Sequence, residues 1–469
     1  SRCADLNART VELIPVSAKS PAALSRLCAK YEQHLMQSGN NFRALAAAAA
    51  TGRDAYSFRA TVLASDQSEA QAGLRRAAQV ADVPRILPAA PRIAFLFTGQ
   101  GSQYLGMGRD LYDSFPAYRT AFDRAAGAVA RHSKLDLNQL IFNGDSGELD
   151  NTAVTQPALF AVGYALVQLW RSFGVEPTWV LGHSVGEFAA ACAAGVMDLD
   201  DGAKLIVARG QLMMERTAPG AMLAVLASPA EVEGICASVS PDIAIAANNC
   251  DARISISGSE ADIKALSAKF QTSGIRHEPL RVSRAFHSPL MEPMLEAFGE
   301  VAATIRFRAP EIAFVSTLDT CLHVGSDSSL TSATYWVDHV RSPVQFLDAM
   351  KLLDEQGPDV LLEIGPAPHL LGLSRRFLER ADLGFLPSLR PGTDGRKRFL
   401  ESVAALFEAG CSLDFGADHA HGPRATIPSY SFEPQAFWLA PRPALGSGSP
   451  DGSTGLLGTP VDSSRLAPS

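Results

Sequence analysis

The feature that most constrains the fold is a short, apolar segment that recurs three times, each time followed by a turn sequence and then by a helical pattern. The three segments read IAFLF (93–97), TWVLG (178–182) and DVLLEIG (359–365). Strands that are apolar on both faces are typical of a parallel sheet covered by helices on each side. We therefore predict an α/β domain with a parallel sheet like that of the α/β hydrolases, and with reactive groups at the carboxyl ends of its strands.

A different pattern interrupts this domain between residues 219 and 283. Strand and helix signals there follow the order strand, helix, strand, strand, helix, strand. This βαββαβ order predicts an inserted ferredoxin-like subdomain. The larger subdomain then comprises residues 89–218 and 284–390, and we expect a cleft between the two parts.

The flanking segments have their own character. Residues 1–88 predict a small α+β unit that ends in the proline-rich loop DVPRILPAAPR. After residue 390 a predicted helix near 395–409 precedes an aromatic, irregular stretch reaching residue 440, and the Gly/Ser/Pro-rich residues 441–469 resemble a flexible linker.

Composition and charge exclude several classes of partner. The net charge is -8, and lysines and arginines are scattered, which argues against nucleic acid or an anionic membrane as partner. The seven cysteines form no CxxC pair and no cluster with histidines. We expect a cytoplasmic protein with reduced thiols and no metal site, and the start at Ser1-Arg2-Cys3 suggests a segment cut from a longer polypeptide.

A nucleophile is predicted at Ser184. The pentapeptide Gly182-His183-Ser184-Val185-Gly186 lies between a predicted strand and an alanine-rich helix, the context of a nucleophile elbow. A GxSxG match alone also arises by chance in a glycine-rich chain. In this context the backbone N–H of Val185 and the helix dipole could stabilise an oxyanion.

A serine hydroxyl needs a base, and His287 is the best placed histidine. It follows the last strand of the inserted unit and precedes a helix predicted at 289–305, so it lies on a loop, where reactive groups usually occur. The alternative is a solvated loop histidine. His183 adjoins the serine, but consecutive residues at such a turn point in different directions. We therefore expect His183 to line the substrate side of the site.

Arg209 lies on the apolar side of the helix predicted at 201–217. Its helical neighbours are Leu205, Leu212 and Met213, which provide no negative charge. A buried guanidinium without a partner is strongly unfavourable. Either an acid from another helix or a substrate carboxylate must pair with it, and the sequence leaves both alternatives open.

Together these segments resemble the malonyl-CoA:acyl-carrier-protein transacylase family, in particular the acyltransferase domains of type I modular polyketide synthases. The resemblance rests on FTGQGSQYLGMG, TQPALF, GHSVGE, ARGQLM, AFHSPLM and YWVDHVRSPVQF, which follow one another in the family's order. It implies a Ser-His dyad and the following residues: catalytic Ser184 and His287, oxyanion-hole N–H groups of Gln100 and Val185, carboxylate-binding Arg209, acyl-pocket Gln156, and a backbone C=O of His339 that orients the base.

The residues before the catalytic histidine imply an extender unit. Malonyl enzymes of the family show His-Ala-Phe-His, and methylmalonyl enzymes show Tyr-Ala-Ser-His. Here the segment is Arg284-Ala285-Phe286-His287, so Phe286 implies malonyl. Arg284 fits neither pattern; it could face solvent, hold the substrate carboxylate or hold the phosphates of coenzyme A.

The resemblance also implies substrates and partners. Malonyl-CoA would donate the acyl group and the phosphopantetheine thiol of an acyl carrier protein would accept it, with no permanently bound cofactor. Residues 1–88 resemble the linker between ketosynthase and acyltransferase, and residues 391–440 the post-acyltransferase linker, so a ketosynthase and other domains of the same polypeptide are expected partners. The aromatic residues of the second linker could pack on ketosynthase and linker surfaces or on the chain's own first unit: Tyr430, Phe432, Phe437 and Trp438.

Two other functions stay open at this point. A GxSxG serine also serves acyl-thioester hydrolases, in which water replaces the thiol acceptor. A non-catalytic docking module is the third alternative, although competent residues occupy every predicted catalytic position.

Overall fold

The computed structural model describes residues 11–37, 39–80, 90–419 and 426–433. Its first unit is a two-stranded antiparallel sheet covered by helices: β1 (Glu12–Ala18), α1 (Pro21–Met36), α2 (Phe42–Thr51), β2 (Phe58–Ala64) and α3 (Gln67–Gln79). The side chains of Ser20 and Asp66 accept hydrogen bonds at the start of α1 and α3. The alanine-rich α2 was not among the predicted helices.

Ten further strands and fifteen further α-helices follow in the described residues. The strands are β3 (Ile93–Phe97), β4 (Trp179–Gly182), β5 (Ala221–Val225), β6 (Ala244–Cys250), β7 (Arg253–Gly258), β8 (His277–Pro279), β9 (Ala313–Val315), β10 (Leu322–His323), β11 (Val360–Ile364) and β12 (Gly384–Pro387).

The helices are α4 (Arg109–Ser114), α5 (Pro116–His132), α6 (Leu137–Phe142), α7 (Ser146–Leu149), α8 (Thr152–Ser172), α9 (Gly186–Ala193), α10 (Leu199–Arg216), α11 (Pro229–Ala237), α12 (Glu260–Thr272), α13 (Glu292–Ala302), α14 (Ala333–Arg341), α15 (Phe346–Glu355), α16 (His369–Ser374), α17 (Gly395–Glu408) and α18 (Gly416–His419). Short 3-10 helices span Pro289–Met291 and Ser329–Thr331.

The central sheet has six strands in the order β10-β9-β4-β3-β11-β12. Five of them are parallel, as predicted, but β10 runs antiparallel to β9 at one edge, so the sheet is mixed. The connection between β9 and β10 spans residues 316–321, which is too short for the crossover that a parallel pair requires. The carboxyl ends of β3 and β4 lead directly into the TGQGSQ and HSVGE segments.

The inserted subdomain is a four-stranded antiparallel sheet in the order β6-β7-β5-β8, with α11 and α12 as its two helices. Its elements follow the predicted βαββαβ order. Strand β6 is irregular at two places, between Ile245 and Ala247 and between Asn248 and Cys250. Such bulges redirect side chains and are common beside active sites.

Helix α8 is the core helix of the larger subdomain. In the described residues it is the one helix long and apolar enough to cross a membrane, and 83% of that apolar stretch is buried inside the protein. It packs against α5 and α10, which also contact each other. This packing brings its first turns, with Gln156, to the carboxyl edge of the sheet.

The described residues up to Ser431 belong to one compact unit, and Phe432 and Glu433 belong to a second. The ring of Tyr430 packs edge-on against that of Tyr56 at 5.6 Å. This aromatic residue therefore contacts the small α+β unit at the start of the chain. The residues Phe437 and Trp438, and the tail at 441–469, lie outside the described residues.

Candidate active site

The turn between β4 and α9 is tightly constrained. A Cβ atom on Gly182 would lie 2.3 Å from the backbone nitrogen of Glu187, and one on Gly186 would lie 2.3 Å from the carbonyl oxygen of Phe97. Ser184 itself has a φ of 50°, in the left-handed region that is costly for residues other than glycine. The two glycines therefore permit a strained turn that exposes the Ser184 hydroxyl.

Ser184 and His287 meet directly. Ser184 Oγ lies 2.7 Å from His287 Nε2, and His287 Nδ1 lies 2.8 Å from the carbonyl oxygen of Ser342. Since a carbonyl can only accept, Nδ1 carries the proton and Nε2 is left as the acceptor for the serine hydroxyl. His287 also has a positive φ, of 56°.

The prediction that the His339 backbone carbonyl holds the imidazole is wrong. His339 lies inside the last turn of α14, whereas the chain becomes extended at Ser342, with φ -76° and ψ 154°. This change of direction turns the Ser342 carbonyl toward His287. The His339 side chain is instead buried edge-on against the ring of Phe188 at 5.5 Å.

His287 is held in its neutral form. Burial and, after it, the nearby charge of Arg209 lower the pKa of its imidazole to about 3, although the bond to the Ser342 carbonyl acts in the opposite direction. An imidazole that is neutral at pH 7 can accept a proton.

The backbone N–H groups predicted for the oxyanion hole are those of Gln100 and Val185. Both residues line the same cavity as Ser184. Among the hydrogen bonds of the described residues, neither N–H has an acceptor. The Gln100 side chain is fixed by the hydroxyl of Thr152, which donates to its Oε1 at 3.0 Å.

Arg209 is buried beside the nucleophile without an acid. Its Nη1 donates to Gln156 Oε1 at 2.7 Å, its Nη2 lies 3.4 Å from Ser184 Oγ, and its Nε has no partner. Burial lowers the pKa of Arg209 to about 9, and the charge of Glu187 raises it only in part. The sequence left two alternatives for its partner, an acid from another helix and a substrate carboxylate. The described residues provide no carboxylate within ion-pair distance of Arg209.

Arg209 is connected to the Gln100 loop through side chains of α8. Gln156 accepts from Arg209 and donates to Thr152 Oγ1 at 2.8 Å, and Thr152 donates to Gln100. Gly210 permits the close approach of α10 to α8, because a Cβ atom there would lie 3.0 Å from the Thr152 carbonyl oxygen. Thr152 was not among the predicted site residues.

These groups surround a cavity of about 110 Å³ at the junction of the two subdomains. Phe286, buried to 8% exposure, forms part of its wall. His183 also lines it, and its Nε2 bonds Asn249 Oδ1 of the inserted subdomain at 2.8 Å. Asn249 was not predicted, because only the bulged course of β6 directs it toward the elbow.

Arg284 does not belong to this cavity, which corrects its placement among the pocket residues. It is buried, and its guanidinium donates to the carbonyl oxygens of Met213, Met214 and Ser283 at 2.8 to 3.1 Å. The last carbonyls of a helix have no partner within the helix, and Arg284 satisfies two of them at the end of α10. Its donors are therefore occupied by the backbone rather than facing solvent, carboxylate or phosphate.

A buried acid group, Glu187, was also missed. Its carboxylate accepts from Thr317 N–H at 2.7 Å, from Thr317 Oγ1 at 2.5 Å and from the Tyr335 hydroxyl at 2.7 Å. Burial raises its pKa to about 7, although these bonds lower it in part. Its position as the sixth residue of GHSVGE, on the first turn of the nucleophile helix, was the one available signal.

The segment 342–345 joins the base to the inserted subdomain. Ser342 accepts from His287, while Val344 donates to Ala246 O at 2.9 Å and accepts from Asn248 N–H at 2.8 Å. The backbone carbonyl of Ser342, which holds the imidazole, is thus two residues from Val344, the residue that pairs with β6.

The comparisons with known proteins agree with this architecture. The family model described as "Acyl transferase domain" matches residues 94–412, and one described as "CurL-like, PKS C-terminal" matches residues 12–74. The phenolphthiocerol synthesis polyketide synthase type I Pks15/1 of Mycobacterium marinum is 37% identical over 447 residues, which cover 94% of this chain and 21% of the relative. The chain thus spans about a fifth of the length of that relative.

Solved structures resemble the same region. The acyltransferase domain from the second module of the salinomycin polyketide synthase is 36% identical, with a TM-score of 0.73 over 89% of this chain and 99% of its own. The malonyl-CoA:acyl carrier protein transacylase FabD of Xanthomonas oryzae pv. oryzae is 33% identical, with a TM-score of 0.61 over 68% of this chain and 99% of its own. The chain belongs to the acyl transferase domain family, among the acyltransferase domains of type I polyketide synthases.

Proposed function

We propose that this acyltransferase moves a malonyl group from coenzyme A, through an acyl-Ser184 intermediate, to the phosphopantetheine thiol of an acyl carrier protein. The observation that carries the proposal is the convergence of three groups on one small cavity: the Ser184 hydroxyl, the His287 imidazole at 2.7 Å and the buried Arg209 guanidinium at 3.4 Å. These supply a nucleophile, a base and a binding group for a carboxylate.

In the first half-reaction His287 Nε2 accepts the Ser184 proton while Oγ attacks the thioester carbon of malonyl-CoA. The carbonyl oxygen becomes an oxyanion that accepts hydrogen bonds from the N–H groups of Gln100 and Val185. When this intermediate collapses, the C–S bond breaks and His287 returns the proton to the leaving thiolate. Ser184 then carries the malonyl ester.

In the second half-reaction the carrier thiol loses its proton to His287 and attacks the ester carbonyl. The same two N–H groups stabilise the second oxyanion. The C–O bond to Ser184 breaks, and Oγ recovers the proton from His287. Bonds and protons balance with these two side chains and the two thiols.

Arg209 reads the free carboxylate of the malonyl group. Its guanidinium is buried, has an unpartnered Nε and faces the serine, so a bidentate carboxylate satisfies donors that the protein leaves open. Binding at this point also places the thioester carbonyl beside Oγ. An acetyl group lacks the carboxylate and cannot make this interaction.

Phe286 limits the size of the acyl group. Its ring forms part of the wall of a cavity of about 110 Å³, and an α-methyl branch would crowd it. One methyl group changes binding by only about 1–3 kcal/mol, so we expect a preference for malonyl rather than exclusion of methylmalonyl.

The relatives support the wider setting. The Xanthomonas protein is by name a malonyl-CoA:acyl carrier protein transacylase, and the Mycobacterium relative is a polyketide synthase. We infer that the chain acts in the cytoplasm beside a ketosynthase in a longer polypeptide, with residues 1–88 and 391–440 as its linkers. The free thiols of the described cysteines fit a reducing compartment.

Intact-mass spectrometry with malonyl-CoA tests the proposal. The wild-type chain should gain one malonyl group and lose it rapidly when holo carrier protein is added, whereas Ser184→Ala should gain none. Decay of the acyl-serine that is equally fast without carrier protein would show a hydrolase. Absence of any acyl mass on the wild-type chain would reject catalysis altogether.

A further inference from the structure

A second, larger cavity opens beside the acyl cavity. Its volume is about 440 Å³, and it shares four lining residues with the smaller one: Gln100, His183, Ser255 and Leu280. The two cavities are therefore adjacent. Both subdomains line the larger one, as expected of a route by which a thioester reaches Ser184.

The larger cavity carries an uncompensated positive charge. Its lining includes Arg253, at the start of β7 in the inserted subdomain, and Arg376, just after α16 in the larger subdomain, but no aspartate or glutamate. Neither guanidinium has a hydrogen-bond or ion-pair partner in the described part of the chain. By contrast, the nearby Arg380 bonds both Asp354 and Asp382.

The segment that carries Arg376 is held in place by a buried glutamate of β11. The backbone N–H groups of Leu370 and Leu371, at the start of α16, donate to the two carboxylate oxygens of buried Glu363 at 2.8 Å each. Arg253 is held by the ladder pairing of β7 with Cys250 of β6. Both arginines thus extend from fixed backbone, which lowers the entropic cost of binding an anion between the subdomains.

We infer that Arg253 and Arg376 bind the phosphate of the phosphorylated pantetheine arm, the group that coenzyme A and a holo carrier protein share. The inference rests on the proposed function, since it places the thioester end of the arm at Ser184 in the smaller cavity and its phosphate in the larger cavity. Guanidinium groups without acid partners form charge-assisted hydrogen bonds with phosphate oxygens.

The test compares three malonyl thioesters: malonyl-CoA, malonyl-4′-phosphopantetheine and malonyl-pantetheine, which has no phosphate. We expect the double variant Arg253→Ala/Arg376→Ala to raise KM for malonyl-CoA about tenfold or more, with kcat unchanged, because a contact to the distant phosphate is the same in the ground state and in the transition state. The rise should shrink at high salt. For malonyl-pantetheine KM should stay at the wild-type value, which also shows that the variant is folded.

Arg375→Ala is the matched control. This neighbouring arginine stacks on the ring of Phe385 at 4.2 Å and does not line the cavity, so it should leave KM unchanged for all three thioesters. Malonyl-4′-phosphopantetheine separates the shared phosphate from the nucleotide end of coenzyme A. A loss confined to malonyl-CoA would mean that the arginines read the nucleotide, and would overturn the inference.

The second half-reaction gives a further test. Transfer from malonyl-Ser184 to holo carrier protein should also be slower in the double variant. Equal losses with all three thioesters, or an unchanged KM for malonyl-CoA and malonyl-4′-phosphopantetheine, would likewise overturn the inference. If the wild-type chain forms no malonyl-Ser184 even from malonyl-pantetheine, the proposed function itself fails, independently of the two arginines.

Discussion

Two buried arginines in this molecule have opposite surroundings. Arg209 and Arg396 are each 2% exposed. Arg396 makes two bonds to Asp418, at 3.0 and 2.8 Å, and reaches Glu12 at 3.4 Å. Arg209 contacts an amide oxygen and a hydroxyl and leaves its Nε without a partner.

The difference shows in their pKa values. Burial lowers the pKa of both groups, but Asp418 and Glu12 raise that of Arg396 above its usual value, while the pKa of Arg209 falls to about 9. Two equally buried arginines can therefore have different roles. The carboxylates around Arg396 make it part of the fold, whereas their absence around Arg209 is the reason why we propose it as the site for a substrate carboxylate.

The largest effect should come from Arg396→Ala. It leaves two acid side chains buried without their cation, so we expect the free energy of unfolding to fall by about 3–5 kcal/mol, measured by urea denaturation. Acylation of Ser184 per folded molecule should not change. A loss of stability as small as that of an exposed ion pair would show that Asp418 and Glu12 do not depend on this arginine.

For Arg209→Gln we expect the opposite result, a loss of activity without a loss of stability. Loss of two charge-assisted hydrogen bonds to the substrate should lower kcat/KM for malonyl-CoA by about a hundredfold or more. The reaction with acetyl-CoA should be unaffected, and stability should not fall, since an unpaired buried charge is removed. If both substrates lost activity in equal measure, Arg209 would be a structural residue and the contrast with Arg396 would disappear.

The sequence was sufficient for the parts of the site that depend on local patterns. The elbow at Ser184 follows from a strand, two glycines and a helix, and the fold follows from apolar strands alternating with helices. Which carbonyl faces His287 depends instead on where α14 stops, so a motif match placed it at His339 rather than Ser342. The role of Arg284 depends on a distant helix end, which leaves no trace in its neighbours.

A smaller effect is expected from a change in the shape of the acyl cavity that leaves its charge unchanged. Phe286→Ser should shift the preference between malonyl-CoA and methylmalonyl-CoA by about 1–3 kcal/mol, measured by intact-mass competition. Because both substrates carry the carboxylate, Arg209 should bind them alike. An unchanged ratio would mean that another part of the wall limits the acyl group.

The smallest effect is a dependence on pH above neutrality. Arg209 is protonated below its pKa of about 9, so carboxylate binding is retained at pH 7 and lost as the pH rises through that value. We expect kcat/KM for malonyl-CoA to fall there by about tenfold per pH unit, whereas acetyl-CoA should lack this limb. Titration of Glu187, with a pKa near 7, would affect both substrates alike. His287, with a pKa of about 3, stays neutral across this range.

The pairing of segment 342–345 with β6 has a consequence for domain engineering. Exchanging residues 219–283 for those of a relative replaces the strand against which Val344 is seated, and the Ser342 carbonyl lies two residues away. Because these contacts are made by backbone groups, we expect a hybrid enzyme to keep its imidazole aligned only when the exchanged strand retains the irregular course of β6. Transplanting 342–345 together with the insert keeps the two halves of this contact matched.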